Sequence, residues 1–431
     1  MGIPVDSLCI ADFSFELPPE KIALHPVSPR DHSRLLVVEK DGISSHQFSS
    51  LPALLPEDSL IIFNNTRVVQ ARLLFRKPTG SPIEIFCLEP ADPDEGISGA
   101  MGQQAEAQWK CLVGNAAAWT SGLVLEKHSV QNPELTGEQE SHILYAALLE
   151  KKPDEFLVQF RWTPAHLHFA ELLHEFGSIP LPPYIKRKPV QEDLERYQTI
   201  YARHEGSVAA PTAGLHFTAQ TLDDLDAHKI SKDFITLHVG AGTFLPVKAE
   251  KMKDHQMHSE YIGIPRQLVV NLLRFIEKKE QASQNAQAHE GKNSITAVGT
   301  TSLRSVESIY WIGHLLLRDP EIKMEELNIT QWYPYEQKTA PAVADCLRAV
   351  LDRMAAEQSE LLLTKTALLI APGYPFKLVD QLVTNFHQPR STLLLLVAAF
   401  AGDKWKSAYT YALEHDFRFL SYGDACLFFR N

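Results

Sequence analysis

Within seven positions, the segment DHQMHSEYIGI (Asp254 to Ile264) gathers Asp254, His255, His258 and Glu260. Imidazole and carboxylate groups at such spacing can take a proton from a substrate and return it near neutral pH. A solvated polar segment reads the same way. Zinc is not supported, because no Cys and no second His/carboxylate cluster of recognised spacing accompanies these residues. Another imidazole, His216, lies in GSVAAPTAGLHFT (Gly206 to Thr218), whose small residues let a ligand approach the backbone. A tight crossover packed in the core would use the same residues.

Two hydroxyl-bearing turns could hold an anion or a sugar. LHVGAGTFLPV (Leu237 to Val247) runs from a strand into Gly240 and Gly242. The third glycine of a dinucleotide fingerprint is missing and no helix follows, yet the strand end offers backbone N–H groups and Thr243 to a carboxylate or ribose. VGTTSLRSVES (Val298 to Ser308) sets Thr300, Thr301 and Ser302 around the free N–H groups of a helix start, with Arg304 in the first turn. Plain capping explains the hydroxyls equally well, but a cation there opposes the helix dipole and argues for a ligand. Finally, PGYPFKLVDQLVTNFHQPRSTLLLLVAAFAG (Pro372 to Gly402) places Tyr374, Lys377, Asn385, His387 and Arg390 ahead of an apolar helix. That polar cluster suits a phosphate or carboxylate, and it also suits an ordinary surface loop.

These residues need elements to position them. Short apolar runs bounded by polar clusters, SRLLVVE, SLIIFNN, FITLHVG, SITAVG and ALLIAPG, read as buried strands. Helical patterns lie between them: Leu268, Leu272, Phe275 and Ile276 share a face after Pro265, and Val306, Ile309 and Tyr310 point inward from a helix opening near Ser302. Alternation of this kind predicts a layered α/β domain. From Ala71 to Trp162 the texture changes to six short strand-like runs, expected to close into a small antiparallel barrel, with a hairpin turn at Lys151 to Asp154. The expected division is an α/β catalytic domain of residues 1–70 and 163–431, with a β-barrel domain, 71–162, inserted into it. Gly96 to Ala107 and Lys278 to Asn293 are expected to be mobile surface excursions.

The 431 residues are 45% hydrophobic and 22% charged, a globular balance that excludes wholesale disorder. With 41 basic and 53 acidic side chains the net charge is −12, so any nucleic-acid contact must come from a local basic patch. Five scattered cysteines suggest neither a disulfide framework nor a metal site, and fit a reducing compartment. The N-terminal residues lack the basic and apolar regions of a secretory signal. The longest strongly apolar run, Leu393 to Gly402, is half the roughly 20 residues a bilayer span needs. A soluble cytoplasmic protein is expected, without membrane association and as a monomer.

Taken together, these segments resemble the S-adenosylmethionine:tRNA ribosyltransferase-isomerase family of the queuosine pathway. The resemblance extends through HPVSPRDHSRLLVV (His25 to Val38), LIIFNNTRVVQARL (Leu60 to Leu73), LPPYIKR (Leu181 to Arg187), ERYQTIYAR (Glu195 to Arg203) and FRFLSYGDACLF (Phe417 to Phe428), in family order over nearly the whole chain. A segment of roughly 315–360, containing QWYPYE and an amphipathic pattern around Leu347 to Met354, is additional.

The resemblance implies a three-layer α/β domain with an inserted small antiparallel β-barrel. It implies transfer and isomerisation of the ribosyl moiety of S-adenosylmethionine onto 7-aminomethyl-7-deazaguanine at a tRNA wobble position, giving epoxyqueuosine and releasing adenine and methionine. S-adenosylmethionine is then a consumed co-substrate, no cofactor is tightly bound, and the macromolecular partner is the tRNA carrying the deazaguanine precursor. Chemical reasoning on the matched positions makes His258, then Asp254, the candidate base, and His216 the candidate donor to adenine. Gly240, Gly242, Thr243, Thr300, Thr301, Ser302 and Arg304 are candidates for S-adenosylmethionine, and Arg30, Arg34, Arg67, Lys186, Arg187, Lys377 and Arg390 for RNA. The rival readings are an S-adenosylmethionine-dependent RNA methyltransferase and a non-catalytic tRNA-binding protein.

Overall fold

The computed structural model describes residues 8–92, 96–120, 122–129, 141–152, 155–240, 247, 249–284 and 293–430. Every residue of the strand Leu60–Asn64 is buried, and its side chains alternate between two cores. Leu60 and Ile62 pack with Leu36, Ile235, Ile295 and Ala297; Ile61 and Phe63 pack with Leu35, Val37, Val298 and Val383. A strand covered on both faces needs an unbroken apolar run, which SLIIFNN supplies.

That strand lies inside a ten-stranded sheet ordered Asn328–Ile329, Leu361–Thr366, Glu260–Pro265, Ser231–Leu237, Leu60–Asn64, Ile295–Val298, Gln381–Asn385, Ala425–Phe429, Arg34–Val38, Ile43–Gln47. The four strands from Ser231–Leu237 to Gln381–Asn385 are mutually parallel. Their carboxyl ends therefore share one edge. Helices cover the sheet, among them Arg266–Gln284, Thr300–Arg318, Val343–Ala356 and Thr392–Ala401. Within residues 315–360, helix Val343–Ala356 buries Ala344, Cys346, Leu347, Val350 and Met354. A Cβ at Gly313 would overlap the backbone of Cys346, so glycine lets that helix sit directly on Thr300–Arg318.

ALLIAPG is not a strand. The ladder stops at Thr366, and the apolar run is held by Ala367 N–H to Ile329 O (2.8 Å) and by Tyr335, whose hydroxyl donates to Leu369 O (3.1 Å) and accepts from Ala371 N–H (2.9 Å).

A second, seven-stranded sheet is antiparallel throughout, in the order Gly177–Ser178, Arg72–Arg76, Pro82–Pro90, Glu106–Gly114, Phe156–Thr163, Ile143–Lys151, Val124–His128. It curls until Arg72–Arg76 approaches Val124–His128, yet among the described residues no ladder joins them, so it is a half-barrel. Helix Phe169–Phe176 fills the curl, with Phe169 against Trp109, Phe160 and Trp162. The expected excursion at Gly96 instead forms helix Gly96–Met101, burying Ile97, Ala100 and Met101. The expected excursion at Lys278 begins inside helix Arg266–Gln284, and residues 285–292 lie outside the described residues, as do Pro153 and Asp154 of the expected hairpin turn. Strand His204–Ser207 pairs with Thr66–Val68 beside the sheet junction. No helix among the described residues is long and apolar enough to cross a membrane.

Candidate active site

A cleft opens at the carboxyl edge of the four parallel strands, where open α/β sheets take their ligands. Val239, Gly299 to Thr301 and Thr384 to Gln388 leave those strands and line it, together with Ala209 to Ala213, Tyr184, Tyr197 and Ser421. Counted out to its open mouth, the space between its walls is about 750 Å³.

Buried polar residues hold the lining in place. Asn64 donates to Leu237 O (3.0 Å) and accepts from Leu237 N–H (3.1 Å), fixing the adjoining strand end. Ser207 accepts from Val239 N–H (3.1 Å) and donates to Ala209 O (2.8 Å), tying the AAPTAG turn to that strand. A Cβ at Gly214 would overlap the Tyr201 hydroxyl. Gly299 turns into helix Thr300–Arg318 at φ 91°, a conformation other residues rarely adopt.

No side chain caps that helix. The Ser302 hydroxyl instead donates back to Val298 O (2.6 Å), so Ser302 supports the turn while Gly299, Thr300 and Thr301 line the cleft. Uncapped N–H groups at a helix start attract an anion. Three cleft-lining residues carry buried oxygens without a hydrogen bond, Tyr197 Oη, Thr301 Oγ1 and Asn385 Oδ1.

The orientation of Asn385 is determined by its neighbours. Its Nδ2 lies 3.2 Å from Leu420 O, which can only accept, and 3.2 Å from His216 Nε2. Nδ2 therefore donates to both, Oδ1 is left free, and His216 carries its proton on Nδ1, donating to Ser33 Oγ (2.7 Å). Burial lowers the His216 pKa to about 4, so the ring is neutral. His216 stands behind the cleft wall and reaches it through Asn385. His387 lines the cleft, bonds Thr384 Oγ1 through Nε2 (2.8 Å), and is pulled down to about 3 by burial.

Arg304 does not line the cleft. It forms a buried ion pair with Glu260, and Glu260 Oε1 also accepts from Gly240 N–H (3.0 Å). Its charge thus acts on Gly240 through Glu260. Gly242 and Thr243 lie outside the described residues. His258 and Asp254 are exposed and absent from the cleft lining. Their segment is tethered by Gln331, which donates to His255 O (2.8 Å) and accepts from Met257 N–H (2.9 Å). Burial, and then the nearby His258, lower the His255 pKa. Among the described residues no group of three or more His, Cys, Asp or Glu could hold a metal.

The RNA candidates separate by environment. Lys186, Arg67 and Arg390 are exposed; Lys377 lies 5.2 Å from the Tyr310 ring. Arg34 lies over Phe417 (3.7 Å). Arg187 is engaged bidentately by buried Asp193 (2.6 and 2.7 Å). Arg30 donates to Gln198 O (2.6 Å) and Glu195 O (2.7 Å). Sequence reasoning did not single out Tyr184, Tyr197 and Ser421, although LPPYIKR, ERYQTIYAR and FRFLSYGDACLF contain them. It also passed over Glu307, a buried carboxylate that accepts from the backbone N–H groups of Lys377, Leu378 and Val379, each at 2.9 Å, and shapes the loop after Pro372. Burial pushes its pKa up.

A family model described as "Queuosine biosynthesis protein" matches residues 10–428. A protein of Dechloromonas aromatica (strain RCB) named S-adenosylmethionine:tRNA ribosyltransferase-isomerase is 36% identical over 422 residues, 98% of this chain and 97% of its own. One of the same name from Thermotoga maritima (strain ATCC 43589 / DSM 3109 / JCM 10099 / NBRC 100826 / MSB8) is 37% identical over 423 residues, 97% of this chain and 99% of its own. A solved S-adenosylmethionine tRNA ribosyltransferase from Thermotoga maritima is 28% identical, with 97% of this chain and 99% of that chain covered and a TM-score of 0.43.

Proposed function

The chain belongs to the family described as queuosine biosynthesis protein, and from that membership we propose what its cleft does. The protein is an enzyme, a transferase and isomerase. It moves the ribosyl moiety of S-adenosylmethionine onto 7-aminomethyl-7-deazaguanine at the wobble position of a tRNA, forming epoxyqueuosine-tRNA with release of adenine and methionine. The observation that carries the site assignment is the set of unpartnered oxygens, Tyr197 Oη, Thr301 Oγ1 and Asn385 Oδ1, beside an uncapped helix start in one cleft. A hydroxyl, a carbonyl and free N–H groups suit the ribose, base and carboxylate of S-adenosylmethionine.

The sulfonium acidifies C5′. A base removes one C5′ proton, the C4′–O4′ bond breaks to give a vinyl sulfonium, and O4′ becomes the C1′ aldehyde as adenine leaves with its bonding pair. The amine of the tRNA base adds at C4′, regenerating a carbanion at C5′ that closes onto C1′. The resulting alkoxide displaces methionine from C5′, forming the epoxide. The proton taken from C5′ balances the one adenine receives.

Neutral His387, held at low basicity by burial, orients substrate by hydrogen bonding and is a poor base for this step. We assign the base to His258, with Asp254 next. Because both are exposed, the assignment requires the Asp254 to Ser259 segment to move over bound substrate. His216 acts as a positioning residue through Asn385. Gly240, with Gly242 and Thr243, is assigned to the S-adenosylmethionine turn, and Arg304 supports it through Glu260. S-adenosylmethionine is a consumed co-substrate, no cofactor is tightly bound, and the enzyme works in the cytoplasm as a monomer. Residues 71–162 are assigned as an inserted β unit, with 1–70 and 163–431 forming the catalytic unit.

The test is product analysis after incubation with S-adenosylmethionine and precursor tRNA. Free adenine and methionine in equal amounts are expected. S-adenosylhomocysteine would identify a methyltransferase, and intact S-adenosylmethionine with bound tRNA a non-catalytic binder.

A further inference from the structure

On the far side of Ser421 lies a second recess, lined by Arg30, Arg196 and Arg418 with Ser33, His216 and Ser421, and by no carboxylate. We propose that this recess is an oxyanion subsite that takes a backbone phosphate of the tRNA beside the nucleotide being modified. The proposal rests on the reading of the cleft given above.

Three observations support it. Arg30 donates to Gln198 O (2.6 Å) and Glu195 O (2.7 Å), and Arg196 to Val27 O (2.5 Å). Main-chain carbonyls hold guanidinium groups in place but neutralise none of their charge. Second, Arg196 Nε is buried without a partner, and the Glu192 carboxylate that approaches Arg196 is 3.5 Å away and itself exposed. Arg418 pairs more closely, with buried Asp424 at 3.0 Å. Third, the groups sit close enough to sense one another. Burial first, and then the charge of Arg196, lower the Arg30 pKa, with Glu195 opposing them, and burial first, then Arg418 and Arg30 against Asp424, lower that of His216. Three guanidinium groups converging on one recess whose lining has no carboxylate are poised for an oxyanion, which they bind through paired N–H donors.

Location selects the source of the oxyanion. Ser421 lines both recess and cleft, so a nucleotide presenting its base at Ser421 from the cleft side can rest its phosphate on the arginines. The carboxylate of S-adenosylmethionine has a separate seat at the uncapped start of helix Thr300–Arg318, across Asn385 and His216.

The experiment uses the full-length chain carrying Arg196→Gln, which keeps a donor for Val27 O. Precursor-tRNA affinity is measured over a range of salt concentrations, alongside the KM for S-adenosylmethionine. Loss of one charge-assisted phosphate contact should weaken tRNA binding about tenfold or more and reduce the salt slope by about one. The KM for S-adenosylmethionine should stay within about twofold, as it depends on the other seat. Unchanged tRNA affinity and slope would overturn the proposal. A raised KM for S-adenosylmethionine with unchanged tRNA affinity would also overturn it, and would give the recess to the amino-acid carboxylate. A second measurement needs no variant. Anticodon stem–loops in which single phosphates near the target nucleotide are replaced by neutral methylphosphonates should show one linkage whose neutralisation costs about tenfold in binding to the wild-type enzyme. Uniform affinity across the series would overturn the proposal. Both measurements read binding, so failure of the reaction assignment would appear separately, as missing adenine release.

Discussion

Asn385 donates from Nδ2 to His216 Nε2 across 3.2 Å, and that single contact links the neutral state of a buried histidine to the direction of a free carbonyl in the cleft. Because Leu420 O takes the other Nδ2 hydrogen at 3.2 Å, the amide cannot turn over without setting two acceptors against each other. The cleft therefore presents an acceptor at this point, addressed to a ligand N–H or O–H.

Replacing Asn385 by Leu should leave that ligand donor unpaired at a cost of about 1–3 kcal/mol in kcat/KM for S-adenosylmethionine. Ser33→Ala should give a smaller loss, since it removes only the partner of His216 Nδ1. Steady-state kinetics on both variants checks this. An Asn385→Leu enzyme with wild-type kcat/KM would remove the carbonyl from substrate recognition.

Folding stability should fall as the solution is acidified below neutrality. An unfolded chain protonates these imidazoles near 6.5, whereas native His216 holds out to about 4 and His387 to about 3. Through that window the unfolded state binds more protons, so stability declines as pH falls and levels off once the native rings protonate. Near pH 5 each imidazole should have cost about 2 kcal/mol relative to pH 7. Urea unfolding at both pH values measures the loss, and His387→Asn should reduce it. Flat stability across this range would contradict the buried neutral assignment.

Arg187 and Arg390 should respond differently to loss of charge. Arg187→Gln leaves buried Asp193 without its cation, with an expected cost of about 3 kcal/mol or more in stability. Arg390 is exposed, so Arg390→Gln should spare stability and lower tRNA affinity, with a shallower salt dependence. Denaturation and tRNA titration together decide. Equal stability in the two variants would contradict the distinction.

Breaking the Arg304 and Glu260 pair on one side should be worse than removing both charges. Arg304→Met strands a buried carboxylate that also anchors Gly240, at an expected cost of about 3–5 kcal/mol. Adding Glu260→Leu should recover part of that stability while S-adenosylmethionine binding stays impaired, because Gly240 N–H loses its acceptor. Additive losses in the double-mutant cycle would show that the pair is not coupled.

Much of this architecture is legible in the sequence because it depends on local period. SLIIFNN reads as a doubly covered strand, and Leu268, Leu272, Phe275 and Ile276 as one helix face, since three or four neighbours suffice to show the pattern. Pairing across the chain is not local. Nothing near Arg304 announces that its charge is met by Glu260, and nothing in LPPYIKR shows that Arg187 is held by Asp193. ALLIAPG has the composition of a strand, but its backbone partners are the Tyr335 hydroxyl and Ile329 O, which composition does not reveal. GISGAMG reads as flexible for its small residues, yet Ile97, Ala100 and Met101 anchor it as a helix. In the cleft, Asn385 and His387 stand out as polar residues before an apolar helix, whereas Ser421 and Tyr197 acquire meaning only when distant loops converge on them.

The most direct measurement of the central claim is the fate of the C5′ hydrogens. S-adenosylmethionine bearing two deuterium atoms at C5′ is turned over with precursor tRNA by the wild-type enzyme and by His258→Ala, and the modified nucleoside is analysed by mass. The expected wild-type product has lost one deuterium to solvent, in step with adenine release, and the variant still binds S-adenosylmethionine but shows neither label loss nor turnover. A His258→Ala enzyme with normal label loss would move the base to Asp254 or another group. Retention of both deuterium atoms in the wild-type product would contradict the C5′ deprotonation on which the whole reaction sequence depends.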